Sequence, residues 1–371
     1  MSNVMGIINV KAHDDLLGEL TDFRCIASVP FGGRYRLIDF LLSSMANSDI
    51  KNVAVFTSYK CRSLMEHLET GKPWDLNRKR DGLRIFPPNA FYGQSSTMSD
   101  IKAFYGHMDF FERSRQKEVV ICPGNLVCNI DFREALSFHR KRRADITIFY
   151  REDADFEQDN PRRQNLVIDK DSRILEFKKS TGLLDSDKAL VEIIILSKSL
   201  LMEIIADSIM NGAEDLLQDI IFKGQMKYNI YAFPIRGYFA LIDSIEKYYQ
   251  VQMDLLEPDI RQSLFFHPGP ICTKVKDEPP TRYTSSSVIK NSLLANGCLV
   301  EGRVENSILF RGVKVKKGAF VKNSIIMQKG EIKEGAKVEH AILDKEVNIS
   351  QEKEVVGRGE SPIIIGKRKK L

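Results

Sequence analysis

Asn306-Ser307-Ile308-Leu309, Asn323-Ser324-Ile325-Ile326 and His340-Ala341-Ile342-Leu343 are versions of one four-residue unit spaced 17 residues apart, and Asn291-Ser292-Leu293-Leu294 is an earlier copy. At the same interval Val304, Val321 and Val338 align, as do Val315, Ile332 and Ile349, and Gly318 and Gly335. An interval of 17 is close to three six-residue strands and turns, with one residue dropped at a corner. Short β-branched strands punctuated by Gly and Asn at that period predict a parallel β-helix of hexapeptide type. Each rung is expected to bury its Val or Ile inward and to stack on the next, because no rung buries its apolar side alone. An antiparallel sandwich with Gly turns would not hold a fixed interval.

Upstream the pattern changes. Residues 257–284 contain Pro258, Pro268, Pro270, Pro279 and Pro280, a large share of the 13 prolines, and read as an extended linker. Before it, the β-rich runs Val4–Val10, Val53–Thr57, Val119–Cys122 and Ile146–Tyr150 alternate with helix-like stretches. These are Leu37–Asn47, Ser63–Glu69, Ser99–Arg113 and Phe132–Arg142, with Ser99 as an N-cap. That alternation predicts an α/β domain with a Rossmann-like, mostly parallel sheet covered on both faces. The division expected is an α/β domain over 1–256, the linker over 257–284 and the β-helix with a basic tail over 285–371. In such a sheet, ligands bind beyond the carboxyl ends of the strands, so residues just after each strand carry the functional information.

With 371 residues the chain is too long for one small core, and 43% hydrophobic with 28% charged residues is the balance of a soluble globular protein. No stretch approaches the roughly 18 apolar residues of a membrane span. The N-terminal MSNVMGIINV reads as a buried strand rather than a secretion signal. The net charge of +5 is small, and the tail Gly366–Leu371 that carries part of it is expected to be a solvated end. Lys141-Arg142-Arg143 reads as a basic helix end. Cys25, Cys61, Cys122, Cys128, Cys272 and Cys298 form no C-x-x-C pair, which favours the reducing cytoplasm. The six histidines have no metal-ligand spacing, so no metal site is assigned. Trp74 and Tyr92 read as packing residues, and Asp39 as a support for its loop.

Val29-Pro30-Phe31-Gly32-Gly33-Arg34-Tyr35-Arg36-Leu37-Ile38-Asp39-Phe40, followed by Leu42-Ser43 and Asn47-Ser48, resembles the V-P-F-G-G-K/R-Y-R-I/L-I-D-F block of bacterial ADP-glucose pyrophosphorylases. Ser58-Tyr59-Lys60-Cys61-Arg62-Ser63-Leu64 is similar to that family's Q-Y-K-x-H-S-L segment. The resemblance runs from Met5 to the last repeat. It implies a nucleotidyltransferase domain joined to a left-handed β-helix, and a reaction that moves AMP from ATP to glucose 1-phosphate in glycogen synthesis.

That reaction brings two polyanions together. It needs close backbone approach, cations on the leaving pyrophosphate and a carboxylate-held Mg²⁺. Active members carry a glycine-rich loop after the first strand, where this sequence has Lys11, Ala12 and Asp14. The loop arginine is Leu16 and the lysine of R-A-K-P is Ile26. Asp14 and Asp15 would repel a triphosphate. The first metal aspartate falls at Asn125 within Gly124–Phe132, and the second at Leu241 within Gly237–Ser244. Asn125 lacks the charge a hard cation favours, and leucine is no ligand. The sugar-phosphate acid and lysine correspond to Lys178 through Ser180.

The departures resemble the non-catalytic, GlgD-type branch of the family. The resemblance implies a regulatory chain that binds no cofactor itself and pairs with a catalytic subunit holding the Mg²⁺, in a mixed tetramer. Phosphorylated metabolites would then act in a cleft between the domains, with Arg34, Arg36, Lys60 and Arg62 as candidate phosphate contacts. Two alternatives stand beside this reading. One is an active enzyme using Asp14 and Asp15 as new metal ligands; the other is a non-enzymatic scaffold.

Overall fold

The structure is a computed structural model that describes residues 3–10, 16–88, 99–152, 164–179, 188–358 and 361–371. In chain order the first part contains β1 (Val4–Asn9), β2 (Pro30–Phe31), β3 (Tyr35–Arg36), α1 (Leu37–Asn47), β4 (Asn52–Phe56), α2 (Arg62–Leu68), β5 (Gly82–Phe86), α3 (Asp100–Tyr105) and α4 (Met108–Arg113). There follow β6 (Glu118–Pro123), β7 (Leu126–Cys128), α5 (Phe132–Arg142), β8 (Ile146–Glu152), β9 (Gln164–Ile168), β10 (Ile174–Lys179), β11 (Lys188–Ser197) and α6 (Lys198–Asn211). β12 (Ile230–Pro234), β13 (Phe239–Leu241), α7 (Ile245–Asp254) and α8 (Pro258–Phe266) complete it.

Nine strands form one sheet whose main path is β10-β9-β11-β6-β1-β4-β5, with β8 pairing to β11 and β12. β6, β1, β4 and β5 are mutually parallel, and β12 is parallel to β8. β11 runs against β6, β8 and β9, and β10 against β9. Only β10 and β11 therefore oppose the common direction. β1 is buried along its whole length, as a central parallel strand covered by helices on both faces must be. One apolar layer joins the sheet to α1, α2, α5 and α7; the other joins it to α3, α4 and α6.

Local chemistry explains several boundaries. The Arg36 backbone N–H donates to the Asp39 carboxylate at 3.0 Å, which fixes the start of α1 and puts negative charge in its first turn. Ser99 accepts from the Lys102 backbone N–H at the start of α3. The stretch expected as one helix over Ser99–Arg113 breaks at Gly106-His107, where the His107 ring packs against Phe86 with centroids 4.4 Å apart. Within 257–284, Pro258 opens α8 at a first-turn position where its missing N–H costs no helical bond.

The repeats form three parallel five-stranded sheets, beginning with Arg282–Tyr283, Val288–Lys290 and Leu293–Leu294. Together they make the left-handed β-helix. Val304 pairs with Val321 and Val321 with Val338, in the register the 17-residue interval sets. Asn291, Asn306, Asn323 and His340 turn the same corner with φ between 39° and 47°. That left-handed conformation suits asparagine.

The inward-burial expectation holds for only part of the Ser-Ile-Leu unit. Leu309, Ile326 and Leu343 enter the β-helix core, whereas Ile308, Ile325 and Ile342 join the core of the α/β domain along with Phe310 and Met327. One column of the repeat therefore faces outward and makes a shared core with the first domain. The basic tail is not a free end. Leu371 N–H donates to Asn348, Asn348 N–H donates to Lys369, and the Lys369 ammonium pairs with Glu19 of the α/β domain at 2.8 Å.

His67 and His139 are buried, and burial lowers both below the ordinary 6.5. For His67 this outweighs the opposing pull of Asp39. Below pH 6.5 the unfolded chain then holds more protons than the folded one, so stability is lost as pH falls through that value. Thermal melts at pH 5 to 7 are expected to show a declining midpoint, and a midpoint that rises on acidification would contradict it.

Candidate functional site

Asn9 ends β1, and its carbonyl accepts from the Gly124 backbone N–H at 3.0 Å, so the loop after β6 crosses the carboxyl end of β1. A Cβ on Gly124 would lie 2.8 Å from a Val10 methyl, so no larger residue fits without a shift. This close approach is where an α/β sheet places its ligand crevice. A cavity there is lined by Asn9, Asp100, Cys122, Pro123, Glu192 and Leu217. Burial pushes the Cys122 thiol up and Cys128 up to about 12, so neither is a ready nucleophile.

The two positions that the resemblance assigns to metal aspartates, Asn125 and Leu241, lie close together. β7 and β13 form a small antiparallel sheet in which Leu126 faces Leu241. The Asn125 side-chain amide donates to the Ile242 carbonyl at 2.9 Å, and the Ile242 N–H donates back to the Asn125 carbonyl at 3.0 Å. The Asn125 amide is thus tied to the backbone of Ile242, the residue after Leu241. Leu241 packs on the apolar core, as do Leu17 beside the half-buried Leu16 and the buried Ile26. These side chains do not fit a Mg²⁺ ion. Among the described residues no group of three or more His, Cys, Asp or Glu is placed to hold a metal. Lys178 is exposed on β10, 3.8 Å from Glu176. Lys11, Ala12, Asp14, Asp15 and Tyr92 lie outside the described residues.

The four candidate phosphate contacts have different placements. The Gly32-Gly33 turn, with φ of 54° and 80°, carries β2 into β3 against the β-helix; a Cβ on Gly33 would sit 3.6 Å from Ala295. Arg34 follows it, exposed, with its guanidinium 5.6 Å from the Tyr35 ring. Arg36 is half-buried and donates to the Ser63 carbonyl and hydroxyl at 2.6 and 2.9 Å. Burial pushes its guanidinium down to about 10, against the pull of Asp39. Lys60 is committed to the Thr21 carbonyl at 2.9 Å, and Arg62 forms an exposed pair with Glu66 at 3.0 Å. The last two are structural or solvent-facing in this arrangement.

Other basic residues complete the seam. Arg24 is buried and grips Asp344 of the β-helix with two bonds of 2.7 and 2.9 Å. Arg311, only 9% exposed, makes no side-chain hydrogen bond or ion pair among the described residues. Burial and the charge of Arg34 lower its pKa. Lys345 is half-buried, and its ammonium likewise lacks such a partner among the described residues. Between Arg311 and Lys345 in the repeat register, Gln328 leaves its buried Oε1 without a donor among the described residues. Lys276, beside Arg36 and Arg311, is lowered by burial and then by those charges. The sequence carried a signal for part of this: Phe310, Met327 and Asp344 share one column at the 17-residue interval, so an acid occupies an otherwise apolar slot.

The family profile for nucleotidyl transferases matches residues 17–159, and that for the GlmU-like C-terminal hexapeptide matches 279–361. The glycogen biosynthesis protein GlgD of Bacillus subtilis (strain 168) is 40% identical over 366 residues, covering 99% of this chain and 96% of that protein. GlgD of Geobacillus stearothermophilus is 41% identical over 86% of this chain and 83% of its own length. A glucose-1-phosphate adenylyltransferase of Thermosipho africanus (strain TCF52B) is 33% identical over 87% of this chain and 78% of its own. With sequence and two-domain fold in agreement, the chain belongs to the ADP-glucose pyrophosphorylase (glucose-1-phosphate adenylyltransferase) family, together with its GlgD members.

Proposed function

We propose that this chain is the non-catalytic, regulatory subunit of an ADP-glucose pyrophosphorylase acting in glycogen biosynthesis in the cytoplasm. The observation that carries the reading is the β7–β13 pair. The scaffold that would present two carboxylates to Mg²⁺ is intact, but it presents an amide bonded to backbone and a leucine packed on the core. A hard divalent cation has no reason to bind there, and without it the charge developing on the leaving pyrophosphate is not neutralised. The kinship with GlgD proteins supports the same reading. No helix among the described residues is long and apolar enough to cross a membrane, and all six cysteines are free thiols, which fits a reducing compartment.

In this reading the chain contributes to a mixed tetramer with a catalytic subunit that holds the Mg²⁺. Its own ligand is a phosphorylated metabolite in the seam between the domains, met by Arg34, Arg36, Arg311 and Lys345. The seam has the chemistry for it: the Arg311 guanidinium is opposed by Arg34 and the Lys345 ammonium by Arg36, Arg24 and Lys367, with no hydrogen-bonded partner for either among the described residues, so an anion would relieve the repulsion at each. Co-expression with a catalytic chain, followed by sizing and assay, tests the proposal. The expected result is one hetero-oligomeric peak whose ADP-glucose synthesis responds to effectors differently from the catalytic chain alone. Two separate peaks with unaltered rates would overturn it.

A further inference from the structure

β11 carries a bulge where it passes the crevice at the carboxyl ends of β1 and β6. Against β8, Val191 lies opposite Phe149 and Ile194 opposite Ile148, so Glu192 and Ile193 are extra residues without a partner on that strand. Against β6 the last pair is Ile194 with Ile121, two residues short of the strand's end at Pro123. Glu192 therefore lies beyond the paired part of β11, level with the end of β6. Ile194 and Leu196 belong to the apolar layer of α3, α4 and α6, whereas Ile193 and Ile195 belong to the opposite layer. The half-buried Glu192 side chain lies on the side of the first pair and lines the cavity that Asn9 also lines.

We propose that Glu192 is the side chain that bars sugar phosphates from this crevice, through its bulk and its carboxylate together. The inference deepens the reading of the chain as non-catalytic, and rests on that reading only for the class of ligand.

Bulk comes first. The space left between these side chains has a volume of about 20 Å³ for the centre of a water molecule, room for about one water and far less than a hexose needs. Charge acts in the same direction. Asp100, buried at the start of α3, lines the same space and is fixed there by the Leu216 backbone N–H, which donates to its carboxylate at 3.0 Å. A phosphate entering would meet carboxylates of both Asp100 and Glu192 between the apolar walls of Leu216 and Leu217. Among the described residues no lysine or arginine lines the cavity. The buried Asn9 side chain makes no hydrogen bond among the described residues, so its amide is available to a hydroxyl or phosphate oxygen once Glu192 is removed.

Crystals of the full-length chain soaked in glucose 1-phosphate test this, because they locate the ligand and separate this crevice from the seam between the domains. The wild type is expected to show no sugar phosphate beyond β1 and β6. Glu192→Gly, which removes both bulk and charge, is expected to hold it there against the Asn9 amide. In solution, calorimetry is then expected to report an additional equivalent bound per chain. If glycine loosens the bulge, Glu192→Gln keeps the shape and removes the charge, and is expected to bind at the same place more weakly than an intact glycine variant. Sugar phosphate in the wild-type crevice, or a crevice left empty in both variants, would overturn the proposal. Either result would leave standing the non-catalytic reading, which rests on Asn125 and Leu241. ADP-glucose formed by the wild type would overturn both.

Discussion

Asp344→Ala is expected to lower the unfolding free energy by about 3–5 kcal/mol, because it strands a buried guanidinium. Arg24 and Asp344 are 3% and 0% exposed at the side chain, and among the described residues Arg24 otherwise reaches only the Met327 sulfur, at 4.0 Å. Water has little access to replace the lost carboxylate. The change also removes the negative charge that supports Lys345 and leaves Arg24, Arg36 and Lys367 opposing it. Replacing both partners with apolar side chains, Arg24→Met with Asp344→Leu, removes the charges together and is expected to recover most of the loss. Denaturant titration measures both. A loss below about 1 kcal/mol for Asp344→Ala would mean that the seam is hydrated enough to solvate Arg24.

Asn125→Asp combined with Leu241→Asp is expected to make a chain that needs Mg²⁺ to reach its full stability. Without metal, the variant loses the amide bond to the Ile242 carbonyl and a packed leucine, and sets two carboxylates side by side. Those losses amount to about 3–5 kcal/mol. Binding of Mg²⁺ to the folded form alone returns stability by mass action, so the melting temperature of the variant rises with metal concentration. The wild-type chain is expected not to respond. A wild type stabilised by Mg²⁺, or a double variant indifferent to it, would show that the β7–β13 pair is not the position where the metal carboxylates were lost.

Much of this was legible in the sequence, for identifiable physical reasons. A fixed 17-residue interval leaves no freedom in the register of Val304, Val321 and Val338, because each strand pairs with the next copy of itself. α1 and α5 run over Leu37–Asn47 and Phe132–Arg142 as the apolar spacing predicts, each started by a local aspartate. The outward role of Ile308, Ile325 and Ile342 was not readable, because periodicity reports that a residue is buried and not against which domain. Gly106-His107 divided a helix whose pattern continued through it. At the site, flanking motifs pointed to Asn125 and Leu241, and the structure brings the two segments together, with Asn125 just before β7 bonded to Ile242 just after β13. The motif also drew attention to Lys60 and Arg62, which are spent on Thr21 and Glu66, while Arg24, Arg311 and Lys345 lay outside it. Their placement depends on the domain contact, which no local spacing encodes. An acid in an apolar repeat column was the one available sign, since a buried carboxylate requires a cation.

The account depends most on this chain being unable to transfer AMP by itself. Purified chain incubated with ATP, glucose 1-phosphate and Mg²⁺, and assayed for ADP-glucose, is the direct measurement. Product at the level of a no-protein control is the expected result. Sustained turnover that disappears in Asp14→Asn or Asp15→Asn would contradict it, and would place an active rearranged site in this chain.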